Sequence, residues 1–114
     1  MKTDSVVEEK SKAFAIRIIK LYKYLNTEKN ESIMSKQILR SGTSIGANIK
    51  EAHYAQSRPD FYSKLKIALK EAAETEYWLE LFKECDYIEV PHFESIYNDC
   101  KELVKLLTSI AKNN

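Results

Sequence analysis

The stretch Arg40-Ser41-Gly42-Thr43-Ser44-Ile45-Gly46-Ala47-Asn48-Ile49-Lys50-Glu51-Ala52 decides the fold. It holds both glycines of the 114-residue chain, yet Ile45, Ile49 and Ala52 recur through it at helical spacing. A loop would not keep that period, so the stretch reads as helix. Each glycine costs a helix about 1 kcal/mol relative to alanine. Close approach of another backbone offsets that loss, because small side chains let helix axes converge. Gly42 and Gly46 are therefore expected inside a helix at a close crossing.

Upstream and downstream the same periodicity extends this helix from about Glu31 to Ala55, with Met34, Ile38, Ile45, Ile49 and Ala52 as its apolar stripe. Ser41, Gly42 and Asn48 join that stripe. A following helix opens at Ser57-Arg58-Pro59-Asp60, where Ser57 caps, Pro59 lacks only an unneeded N–H, and Asp60 closes a capping box. Its stripe is Phe61, Leu65, Ala68, Ala72 and Leu79, and it ends near Cys85. A helix from about Asp4 to Asn26 precedes the deciding stretch, with Val7, Phe14, Ile18, Leu21 and Leu25 on one face and Asp4 or Ser5 as N-cap. Pro91 starts the last helix, whose stripe Phe93, Ile96, Cys100, Leu103, Leu107 and Ile110 alternates spacings of three and four.

Short connections force sequential helices to lie side by side and antiparallel. The economical fold is all-α, an up-down-up-down four-helix bundle filling one domain over residues 1–114. Only two glycines and two prolines leave little turn material for an all-β alternative. Pairing the second and third helices about a turn near Ser57 brings Glu51 close to Lys64.

No apolar run approaches the ~20 residues that cross a bilayer, and Met1-Lys2-Thr3-Asp4-Ser5 leads into a charged helix without the apolar core of a signal peptide. Cys85 and Cys100 lack metal-ligand spacing and read as reduced core or boundary residues, so a cytoplasmic location is expected. The net charge of +1 divides into +4 over residues 1–57 and −3 over residues 58–114. That split steers one half toward anions or lets neighbouring copies attract.

Gln37-Ile38-Leu39-Arg40 followed by Ser44-Ile45-Gly46-Ala47-Asn48-Ile49-Lys50-Glu51-Ala52 resembles the signature of the 23S rRNA intervening-sequence proteins, also called four-helix bundle proteins. A second block follows on the next helix as Phe61, Ile67-Ala68, Ala73 and Glu74-Thr75-Glu76, and the resemblance covers nearly the whole chain. Where many relatives open with an aromatic-rich phrase containing a Trp, this chain has Val6-Val7-Glu8-Glu9. The resemblance implies a left-handed four-helix bundle assembled into a ring-like homopentamer. Some relatives lie within intervening sequences of rRNA genes. The accessory subunit of diversity-generating retroelements is similar in fold and binds nucleic acid and a reverse transcriptase through a basic surface. The family offers no catalytic residues to carry over; its structural motif falls here on Gly42, Ser44, Gly46, Asn48 and Glu51.

Two surfaces compete for function. On the second helix Lys36, Arg40, Lys50 and Tyr54 share one side with Thr43 and Ala47, and Arg58 lies beyond the next turn. Read as function, this is a phosphate-tracking stripe with an aromatic for stacking; read as structure, it is a solvated or subunit-packed face. On the third helix Ile67, Trp78 and Leu81 point away from the core stripe, which suits an interface between copies. Arg40 and Glu74, each off its own core line, are expected to pair between subunits there. Ile16 and Ile19 repeat the off-core pattern more weakly on the first helix. Clustering of the cations on an exposed rim favours nucleic acid, whereas Arg40 held against acidic neighbours favours protein partners.

Other chemistry finds no purchase. His53 has no Glu three residues before it, and Glu89, three before His92, lies with it at the start of the last helix, so no Glu-x-x-His metal set projects into the bundle. Ser44 and Cys100 lack a positioned base, and no glycine-rich phosphate loop follows a strand. Asn48 and Glu76 read as structural hydrogen-bonding groups, Glu76 needing a cation if buried. The expectation is a non-enzymatic homo-oligomeric scaffold or adaptor for protein partners, without cofactor, metal, membrane or small-molecule substrate. The alternative is a nucleic-acid-binding accessory protein.

Overall fold

A computed structural model describes residues 2–112. Four helices occupy it: α1 (Ser5–Glu28), α2 (Met34–His53), α3 (Arg58–Glu84) and α4 (Val90–Ala111). α2 packs on α1 and α3, α3 on α4, and α4 closes back onto α1, giving the expected antiparallel bundle about 44 Å long and 20 Å across. The apolar stripes meet on its axis. Phe14, Ile18, Leu25, Ile38, Ile45, Leu65, Leu79, Phe82, Ile96 and Leu103 are all sealed from solvent. The Glu51–Lys64 register also holds, with an ion pair of 3.0 Å across the α2–α3 hairpin.

Boundaries follow the caps. Asp4 Oδ1 accepts the Val6 N–H at 2.8 Å to start α1, and Ser57 Oγ accepts the Asp60 N–H at 3.2 Å to start α3. Asp60 returns its carboxylate to the N–H of Gln56, one residue before the cap. α1 runs two residues beyond Asn26, whose amide instead donates to Tyr22 O and to Ser35 Oγ. The start of α2 differs most. Glu31 is not in the helix but folds its carboxylate over the free end, accepting the N–H groups of Ile33, Met34 and Ser35 at 3.1, 3.0 and 2.7 Å. Three donors that a helix start leaves unpaired are thereby satisfied by one buried side chain. At its other end α2 stops at His53, two residues short of Ala55.

A chain with so few glycines makes its turns otherwise. Asn30 and Asp86 adopt left-handed backbone (φ 53° and 63°) just past the ends of α1 and α3. At Asp86 the following N–H, from Tyr87, reaches back to Phe82 O at 2.8 Å, the usual way to close a helix C-terminus. Both glycines are spent on the α1–α2 crossing instead. A Cβ on Gly42 would stand 2.8 Å from both γ-carbons of the fully buried Ile18, so nothing larger than hydrogen fits. Gly46 is less tight, with a Cβ meeting Ser11 O at an ordinary 3.5 Å.

Candidate interaction surfaces

The polar seam between α2 and α3 brings several expected site residues together. Arg40 sends one guanidinium nitrogen to Glu71 Oε2 at 2.7 Å and another to Glu74 Oε2. Glu74 also accepts the indole N–H of Trp78 at 2.9 Å. Beneath this surface, Thr75 and Ser41 link their buried hydroxyls at 2.9 Å. The expected Arg40–Glu74 pair therefore exists, but within one chain rather than between subunits. Both residues sit at the boundary where adjacent helices meet, which is off the core line yet not outward.

The indole hydrogen bond, then the guanidinium, holds the Glu74 carboxyl below the usual carboxylate range; the same contact raises Arg40. A carboxyl whose pKa falls on folding stabilises the fold above the unfolded value, near 4.3 for glutamate. That contribution is lost as pH falls through the lowered folded value. A plot of melting temperature against pH should thus drop less on acidification below about pH 4 for Glu74→Gln than for wild type. Exposure of the pair to solvent keeps the difference small.

The cationic stripe does not converge. Lys36 is exposed near the start of α2, while Lys50 lies fourteen residues on, about 21 Å along the axis. Arg40 between them is neutralised by two carboxylates. At the far end Lys50 Nζ lies 6.0 Å from the ring of Tyr54, which is 72% exposed, and Arg58 stacks over Tyr62 at 5.7 Å. What survives of the stripe is a Lys50–Tyr54 pair at the α2 terminus.

On α3, Ile67 is 41% exposed, whereas Trp78 and Leu81 are half-buried, with the Trp78 ring packed on its own core. Trp78 is therefore not the free anchor expected of it. Tyr77, unmarked in the sequence reading, is the more exposed aromatic at 55%. Its signal was its spacing, four residues after Ala73 and seven after Lys70. Ile16 and Ile19 stand out from α1 as expected.

Groups that would do chemistry are occupied otherwise. Ser44 Oγ donates to Arg40 O at 2.6 Å, and the Asn48 amide donates to Ser44 O at 2.9 Å, both within α2. Burial pushes the Cys100 thiol up to about 12, and its S–H points at Ala72 O. Cys85 is exposed rather than in the core. Glu76 has its cation, Lys101 at 3.3 Å. His53 pairs with Glu8 at 3.1 Å. Among the described residues no group of three or more His, Cys, Asp or Glu is placed to hold a metal, and no helix is long and apolar enough to cross a membrane.

Residues 3–109 match the family model described as 23S rRNA-intervening sequence protein. No curated protein matches the chain. Among solved structures, a protein of unknown function from the S23 ribosomal protein family of Bacteroides thetaiotaomicron is 63% identical. The similarity covers 95% of this chain and 96% of that one, with a TM-score of 0.93.

Proposed function

This chain belongs to the 23S rRNA-intervening sequence protein family, and from that premise we propose that it is a non-enzymatic, homo-oligomeric scaffold for protein partners. The observation that carries the reading is the state of Arg40. The central cation of the would-be phosphate stripe is committed to Glu71 and Glu74 of its own chain. Apolar side chains, meanwhile, stand uncovered on the outer faces of α1 and α3 around a core that is already complete: Ile16, Ile19, Ile67 and Tyr77. Such residues serve association. Five copies is the number the family resemblance supplies. The non-enzymatic part rests on the two candidate nucleophiles, Ser44 held by a backbone carbonyl and Cys100 buried as a thiol. A cytoplasmic location goes with it, where Cys85 and Cys100 stay unbridged.

One observation favours a second reading. The exposed Lys50–Tyr54 pair, with Arg58 beyond the turn, offers a cation and a stacking ring to a nucleic-acid strand. Light scattering on the purified protein, with absorbance at 260 and 280 nm read on the same peak, separates the two. The expected result is a discrete multimer of five copies free of nucleic acid. A monomer at every concentration overturns the scaffold, and nucleic acid carried through purification transfers the function to the second reading.

A further inference from the structure

The outer face of α3 carries a second seam that the core does not use. Lys66, Lys70, Ala73, Tyr77, Glu80 and Glu84 follow one another at spacings of four, three, four, three and four, and all six are exposed. That is the spacing with which one helix presents a stripe to another. Its chemistry is ordered: two lysines, a small residue, an aromatic, two glutamates. The order is also symmetric about the level of Thr75. Lys66 and Glu84 are equally far from it, as are Lys70 and Glu80, and Ala73 and Tyr77.

From this we propose that α3 pairs with α3 of a second copy of this chain, antiparallel and about a two-fold axis level with Thr75. The proposal rests on the self-assembly reading and specifies one of its contacts. In this register each lysine faces a glutamate of the other copy, and each Tyr77 ring covers the other copy's Ala73. A two-fold contact uses the same patch on both molecules, so every pair occurs twice. A two-fold contact cannot close a five-membered ring, so it joins two rings through α3 and leaves the α1 face, with Ile16 and Ile19, to the ring itself.

The residues are available for it. Among the described residues Lys66 and Lys70 take part in no ion pair, while five other Lys and Arg residues are held by carboxylates of other helices. Glu84 is 72% exposed and meets its neighbour Lys83 loosely, at 4.0 Å, a contact it exchanges for Lys66 of the other copy. Glu80 accepts the Tyr97 hydroxyl through Oε2 and keeps its other oxygen open. Tyr77 is steadied by an edge contact with Trp78 at 5.5 Å between ring centres. Ile67 lies beside the seam within about 3 Å of the level of the other copy's Leu81 and adds an apolar flank. Glu74 comes nearest to its own counterpart at the axis, and Arg40 neutralises it there. Because lysines and glutamates occupy most of the seam, the contact is electrostatic and weakens with salt.

Charge exchange tests this. Sedimentation velocity at low ionic strength is run on wild type, on Lys66→Glu/Lys70→Glu, on Glu80→Lys/Glu84→Lys, and on an equimolar mixture of the two variants. Each variant alone sets like charges against like and should sediment at half the wild-type mass, its dissociation constant raised at least about tenfold. The mixture should recover the wild-type mass, since every facing pair is again of opposite sign. Circular dichroism confirms that the variants stay helical; Lys66→Glu with Glu84→Lys provides a milder pair that leaves the Tyr97 contact intact. Variants that keep the wild-type mass overturn the α3 contact and leave self-assembly standing. A wild type monomeric at low salt overturns both.

Discussion

Gly42→Leu is expected to lower stability by about 3 kcal/mol, the upper end for an overpacked core. For a chain of this length that is a fall in melting temperature of roughly 10 °C. The cause is local. A Cβ at this position already sits 2.8 Å from two carbons of Ile18, which is buried on every side and has no room to turn. The larger side chain must therefore push α1 and α2 apart along the seam. Any gain in helix propensity, about 1 kcal/mol, offsets only part of this. Gly46→Ala makes the control, since its added carbon meets Ser11 at an ordinary distance and should be neutral or stabilising by up to about 1 kcal/mol. Thermal unfolding that leaves Gly42→Leu as stable as wild type would refute the close crossing. Combining it with Ile18→Ala should recover stability, as expected for two residues that share one space.

Glu31→Ala should cost about 2 kcal/mol, toward the upper end for loss of a helix cap. The reason is the number of donors left behind. Three consecutive N–H groups at the start of α2 lose their acceptor, and the site around Ser35 is buried. Water reaches the exposed Ile33 N–H readily but the Ser35 N–H poorly. Glu31→Gln keeps one carbonyl oxygen and should fall between the two. Urea unfolding reports the difference directly, and hydrogen exchange at Ser35 should accelerate in the alanine variant alone. An alanine variant within a few tenths of a kcal/mol of wild type would mean that α2 is held by its packing and not by this carboxylate.

These two positions show what a sequence makes legible. The four apolar stripes, the cap at Ser57 and the Glu51–Lys64 register were readable because each is set by spacing within one helix or across one short turn; at the first helix the sequence narrows the cap to Asp4 or Ser5, and it is Asp4. The two glycines were readable because they break a propensity rule inside a strong pattern. Glu31 was not, because glutamate is a good helix former and a carboxylate folding back over a helix end leaves the same letters as one inside it. Arg40, Glu74 and Trp78, read as outward-facing, meet within one chain for a geometric reason. A helical wheel locates a residue relative to its own axis, so a position turned toward a neighbouring helix and one turned to solvent look alike. The residues expected at an interface therefore came out as a face broader than the free surface, with Ile67 on it, Leu81 and Trp78 partly withdrawn, and the exposed Tyr77 unmarked.

The order in which the helices pack also has a consequence for how the chain reaches this state. Three of the four seams join helices that follow one another through five residues or fewer, so they form with little loss of chain freedom. The α1–α4 seam alone joins distant segments, through contacts such as Arg17–Asp99 at 2.6 Å and Lys10–Glu102 at 3.2 Å. Closing it requires the whole intervening chain to be in place. Folding should therefore proceed as hairpins that zip outward from the middle of the sequence, with the first and last helices docking at the end.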